Sequence, residues 1–135
     1  MPDRATALKN IAVGDIFHAS AANGASLLCL TMSVTRSIIQ ARNVTTQIIY
    51  DFDRRTGIAD WYVFSSHYLC AVDSVAPLPA DIREIMLQLD RKGRESEYSQ
   101  AEDPERPWIS GEGSLTAEEK RGLLFVSYFY PAFPV

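Results

Sequence analysis

The chain has 135 residues, 47% of them hydrophobic and 22% charged, which is enough apolar side chain for one domain with its own core. No apolar run approaches the roughly 20 residues that a membrane-spanning helix requires. A formal charge of -4 gives no general attraction to phosphate and disfavours wholesale nucleic-acid packaging.

The charge is unevenly spread. Residues 1–92 carry nine basic and nine acidic side chains, whereas residues 93–135 carry four and eight, a composition break that marks a module boundary. The start holds Asp3, Arg4 and Lys9 and no apolar signal-like stretch, and Cys29 and Cys70 stand 41 positions apart. Reduced thiols in a cytoplasmic protein are the expectation.

Ile11 to Phe17 reads as a strand broken by Gly14, and Asn23-Gly24 supplies a two-residue type I′ turn into Ser26 to Val34. There Leu28, Leu30, Met32 and Val34 alternate with Cys29, Thr31 and Ser33, the period of a half-buried strand. Beyond Thr35-Arg36-Ser37, Ile38 to Phe52 contains neither Gly nor Pro and reads as one long bent strand, or two strands meeting at a bulge near Asn43. Asp53-Arg54-Arg55-Thr56-Gly57 is a hairpin end in which Gly57 takes the left-handed conformation. Ile58 to Phe64 returns, and His67 to Val72 adds a further strand. Short strands joined by tight turns must hide their edges, which predicts a mainly β, α+β chain built on a small antiparallel β-barrel or roll of SH3-like type.

Pro77 and Pro79 end the sheet. Ala80 to Lys92 places Ile82, Ile85, Met86 and Leu89 at i, i+3, i+4 and i+7, with Pro79, Asp81 and Glu84 as start signals and Gly93 as a stop. This packed helix is expected to plug one end of the barrel. Residues 93–114 hold only Tyr98, Ala101, Trp108 and Ile109 as apolar side chains, too little burial to offset ordering, and read as an acidic flexible linker. The organisation expected is a barrel with helix over 1–92, the linker over 93–114 and an aromatic-rich segment over 115–135. In that segment Ser114 or Thr116 is expected to cap a helix running to Pro131, with Thr116 and Glu119 at capping-box spacing, in preference to a strand from Leu123 to Tyr130.

His18, Cys29, His67 and Cys70 make up one Cys2His2 set in number, but only His67 and Cys70 are close, and on a strand i and i+3 face opposite ways. No metal site is expected, and no cofactor is implied. Neither cysteine lies in a Gly-rich elbow, and no G-x-S-x-G occurs, so nucleophilic catalysis has no motif here. Asp51 and Asp53 project from one strand face about 7 Å apart. They would suit a small metal-dependent hydrolase together with His18 or His67, although Arg54 and Arg55 next in sequence favour a charge-compensated hairpin end. Gly111-Glu112-Gly113 lacks the lysine and spacing of a phosphate loop. Arg36, Arg42, Arg54 and Arg55 face five aspartates between Ile11 and Leu78, so single-stranded nucleic acid is a secondary alternative resting on the habits of small barrels.

The aromatic end carries the main functional expectation. Phe125, Tyr128, Phe129, Tyr130 and Phe133 fall within the last 21 residues, and a contiguous apolar patch of that kind needs cover. The chain's own barrel is the ordinary destination, a second copy or another protein the next, and a membrane surface is disfavoured by the acidic neighbourhood. The chain therefore reads as a non-catalytic protein-protein interaction or assembly module. Its expected contact residues are Trp108, Phe125, Tyr128, Phe129 and Phe133, and its counterpart a protein partner or a homo-oligomer.

Overall fold

Alternating apolar side chains and short turns fold residues 16–74 into one six-stranded antiparallel sheet, seen in a computed structural model that describes residues 3–63, 66–95 and 115–134. The strands are β1 (Ile16–Ala21), β2 (Ser26–Val34), β3 (Ile38–Asn43), β4 (Ile49–Asp53), β5 (Ile58–Val63) and β6 (Ser66–Ser74). Helix α1 (Arg4–Lys9) precedes them, and α2 (Ala80–Glu95) and α3 (Ala117–Phe129) follow, with a 3-10 turn over Tyr130–Ala132. The strand order is β4-β3-β2-β1-β6-β5. The outer strands β4 and β5 come against one another, giving a nearly closed barrel that leaves little open edge.

The barrel interior is filled by Phe17, Ala19, Leu27, Cys29, Ile39, Ala41, Tyr50, Phe52, Ala59, Cys70 and Val72, joined by Leu8 of α1 and by Ile11. Phe17 and Phe52 meet edge to face at 5.3 Å. Both cysteines are buried free thiols. Burial pushes the Cys29 thiol well up, with the neighbouring Cys70 adding to it, and pushes Cys70 up to about 12. Such thiols pack as small apolar groups. A second cluster gathers the other face of β1 and β2, through Ile16 and Leu28, with Val44, with Met86 and Leu89 of α2, with Val126 of α3 and with Tyr130.

Four expectations are corrected. Ile11 to Asp15 is a turn, with Gly14 at φ 90° and its N–H on the Thr31 carbonyl at 3.0 Å, so strand pairing begins at Ile16. The Ile38–Phe52 stretch is two paired strands: the chain reverses between Asn43 and Ile49, with Gln47 at φ 65°. In β2 the register against β3 shifts between Thr31 and Ser33. That irregularity returns Val34 to the interior with Leu27 and Cys29, while Leu28 and Leu30 join the second cluster. Finally, α2 runs through a buried Gly93 to Glu95, so residues 93–95 belong to the helix. The rest of the expected 93–114 linker lies outside the described residues.

A buried carboxylate explains both the extra turn of α2 and the unusual Gln47. Asp90, its side chain 1% exposed, accepts from Arg42 Nε at 2.8 Å and Nη2 at 2.6 Å, from Gln47 Nε2 at 3.2 Å and from Arg94 Nε at 3.1 Å. Gln47 Nε2 also donates to the Val44 carbonyl at 3.0 Å, so the strained reversal is held by the same group that fixes α2 to β3. Burial alone would raise the Asp90 carboxyl. The hydrogen bonds from Arg42 and Gln47 and the charges of Arg42 and Arg94 outweigh it and hold the group below its ordinary range.

The folded state therefore prefers the ionised form more strongly than the unfolded chain does. That contribution is complete above about pH 5 and drains away as pH falls through the lowered folded value. Asp90→Asn leaves Arg42 without its counter-charge and is expected to cost about 3 kcal/mol at neutral pH. Urea midpoints followed against pH should show this loss together with a shallower decline in acid than the native chain has.

Candidate functional site

Helix α3 is built by its own first turn. Thr116 Oγ1 accepts from the Glu119 N–H at 3.1 Å, and Glu119 Oε1 accepts from the Thr116 N–H at 2.8 Å, the reciprocal cap that the sequence spacing predicts. Glu119 is fully buried, and it also accepts from Lys92 Nζ at 2.6 Å and Gln88 Nε2 at 2.9 Å, both on α2. Burial would raise its carboxyl, but the donors Lys92, Thr116 and Gln88 together hold it below the ordinary value. One turn on, Gly122 lies against α2 so closely that an added Cβ would stand 2.9 Å from Ile85 Cγ2 and 3.0 Å from Met86 Cε. Val126 and Tyr130 continue the same stripe into the second cluster. The Tyr130 ring stacks on His18 at 5.3 Å, and Ser74 Oγ donates to the Phe133 carbonyl at 2.6 Å.

With the stripe 119, 122, 126 and 130 committed inward and Leu123 and Phe129 partly buried against the same cluster, other apolar side chains of α3 and of the turn after it are left exposed. Leu124 is 59% exposed, Phe125 38%, Tyr128 74% and Phe133 52%. Phe125 and Phe129 stack at 5.6 Å, and Phe129 and Phe133 meet at 5.2 Å, so the three rings form a continuous ridge at i, i+4 and i+8. Phe129 is half-buried and rests edge-on against Tyr130 at 5.6 Å. Four of the five expected contact residues thus share one surface, with Leu124 beside them. Trp108 lies outside the described residues. Sequence reasoning finds Glu119 as the cap of α3 and Tyr130 among the aromatic side chains, but not the inward face that both share with Gly122 and Val126, although the 3-4-4 spacing of 119, 122, 126 and 130 is itself a helix-face signal.

His18 gains a partner that sequence reasoning did not find. Its Nδ1 stands 2.6 Å from Asp73 Oδ1 across the β1–β6 pairing, and the Ser20 hydroxyl donates to the other oxygen of the same carboxylate. Burial would raise Asp73, yet the bonds from His18 and Ser20 and the charges of His18 and Arg4 bring it below its ordinary value. Ser20 is turned onto the carboxylate and not onto the imidazole, so the three do not form a nucleophile-base relay. A cleft of about 160 Å³ lies alongside, lined by His18, Ser26, Thr45, Leu123, Ser127 and Pro131 among others.

Asp51 and Asp53 are taken up locally. Asp51 accepts from Gln40 Nε2 at 3.1 Å, and Asp53 Oδ1 accepts from the N–H groups of Arg55 at 2.8 Å and Thr56 at 3.2 Å, capping the turn. The His67 side chain lies outside the described residues. Among the described residues no group of three or more His, Cys, Asp or Glu side chains is arranged to hold a metal ion, and no helix is long and apolar enough to cross a membrane. Comparison with protein-family models, curated proteins and solved structures finds no match for this chain.

Two substitutions test the inner face of α3. Gly122→Val drives methyls into Ile85 and Met86 and should destabilise by about 2 kcal/mol. Tyr130→Phe should do the reverse: the buried hydroxyl has no hydrogen-bond partner among the described residues, so removing it is expected to gain about 1 kcal/mol. Thermal or urea unfolding reads both.

Proposed function

We propose that this chain is a non-catalytic assembly module that pairs with a second copy of itself through the outward face of α3. The observation that carries the reading is the exposure of Leu124, Phe125 and Tyr128 on a helix whose other face is already committed, and of Phe133 just after it. A ridge of stacked rings on a well-anchored helix loses little freedom when it is covered, and large aromatic side chains supply much of the energy at protein interfaces.

Charge favours a second copy as the cover. Exposed Arg121 opens the row, one turn before Leu124 and Phe125 and two before Tyr128, whereas the last turn of α3 carries no basic residue. Antiparallel pairing about a two-fold axis brings each Arg121 to the C-terminal end of the other α3. There it meets the unopposed carbonyl end of the helix dipole and the face of Tyr128. In this reading the barrel, of SH3-like type, is the scaffold that holds α3 in place. The hydrolase and single-stranded nucleic-acid alternatives have less to support them, since Asp53 is engaged by turn amides and Arg42 by Asp90.

The native chain is expected to elute at twice the chain mass in size-exclusion chromatography with light scattering, and Phe125→Glu/Tyr128→Glu at the chain mass with an unchanged circular dichroism spectrum. Arg121→Glu should shift the equilibrium toward single chains. A native chain that stays single at every concentration, or a double variant that still pairs, overturns the proposal.

A further inference from the structure

At the end of the barrel away from the β3–β4 reversal, three segments meet: the last turn of α1, the Thr35–Ser37 turn and the Arg54–Thr56 turn. Arg54 ties them together. Its Nη1 donates to the Thr35 carbonyl at 2.7 Å, its Nη2 to the carbonyls of Lys9 at 2.6 Å and Ile11 at 3.2 Å, and its backbone N–H to the Ser37 carbonyl at 2.9 Å. Beside it lies an open depression of about 460 Å³ lined by Ala5, Lys9, Arg36, Arg54 and Arg55.

Four cations share this concavity, and none has a carboxylate within ion-pair distance among the described residues. The two other basic side chains of the barrel are committed elsewhere: Arg42 to Asp90, and Arg4 to the carbonyls of Val72 and Thr56. Gathering like charges on one wall works against the fold unless something negative relieves it. Arg54 also covers the carbonyl oxygens that would otherwise turn negative charge toward the depression. The exposed Lys9, Arg36 and Arg55 heads remain free to bind.

We infer that this depression is a binding site for a compact ligand carrying two or more phosphate groups. Guanidinium forks match phosphate oxygens in pairs, and a lysine adds a point charge. The compact class follows from the surroundings: Asp51 and Asp53 on the same hairpin and Asp3 at the start of α1 would repel an extended polyanion that ran beyond the depression. The site stands apart from the α3 ridge and does not depend on the pairing proposed for it.

Inorganic pyrophosphate is the minimal probe, titrated calorimetrically into the full chain at low ionic strength. Saturable one-site binding is expected, weakening with added salt. Arg36→Ala/Arg55→Ala should reduce it by roughly tenfold or more, since each removes a charged hydrogen-bond donor. Both side chains are exposed and make no hydrogen bond or ion pair among the described residues, so the variant should unfold at the native temperature. Phe125→Glu/Tyr128→Glu should bind as the native chain does. Absent binding, or binding that the double arginine variant leaves unchanged, overturns the proposal. A single-stranded oligonucleotide that binds through the same arginines more tightly than pyrophosphate overturns it as well, since the ligand would then be a polymer.

Discussion

A carboxylate withdrawn from water must be met by donors on every side, and in this chain two such groups, Asp90 and Glu119, set where the helices go. Asp90 is satisfied by Arg42 and Gln47 from the barrel side and by Arg94 from its own helix. Glu119 is satisfied by Lys92 and Gln88 of α2 and by its own cap. Buried ion pairs of this kind add less to net stability than to the penalty on every other arrangement, because each alternative strands a charge. The links run in series from β3 to α2 to α3, and the rotation of α3 about its axis follows from them.

That rotation decides which residues of α3 face outward. Once Glu119 reaches α2, Gly122 must lie against Ile85 and Met86, and Val126 and Tyr130 enter the apolar cluster below. The outward ridge is then a consequence of inward polar chemistry. The basic depression is a separate outcome of the same economy of donors, since Arg54 is spent on three carbonyls and its neighbours are left free. One surface is apolar and lies over the β1–β2 side, while the other is cationic and lies at the end where the β2–β3 and β4–β5 turns meet.

Features encoded by near neighbours were legible in the sequence. Thr116 with Glu119 announces α3, Gly57 announces a left-handed turn and takes φ 76°, and Ile82, Ile85, Met86 and Leu89 announce α2. What escaped was set by partners distant in sequence. The β3–β4 reversal contains no Gly or Pro, and its one positive φ, at Gln47, is stabilised by Asp90 across 43 positions. Gly93 looks like a helix stop until Arg94 is seen returning to Asp90. Gly122 looks like a breaker, yet it marks the closest approach of two helices. Asp73 meets His18 only because β6 lies beside β1, a pairing that strand patterning cannot reveal.

In the proposed pairing α3 is seated within its own chain while its ridge is covered by the other copy. An isotope-filtered NOE spectrum of a mixed labelled and unlabelled sample separates the two kinds of contact in one measurement. Tyr130 to His18 ring contacts should appear only within a chain, and contacts from Phe125 and Phe133 should appear across chains. Tyr130 to His18 contacts seen only between chains, or a ridge with no contact across chains, would contradict it.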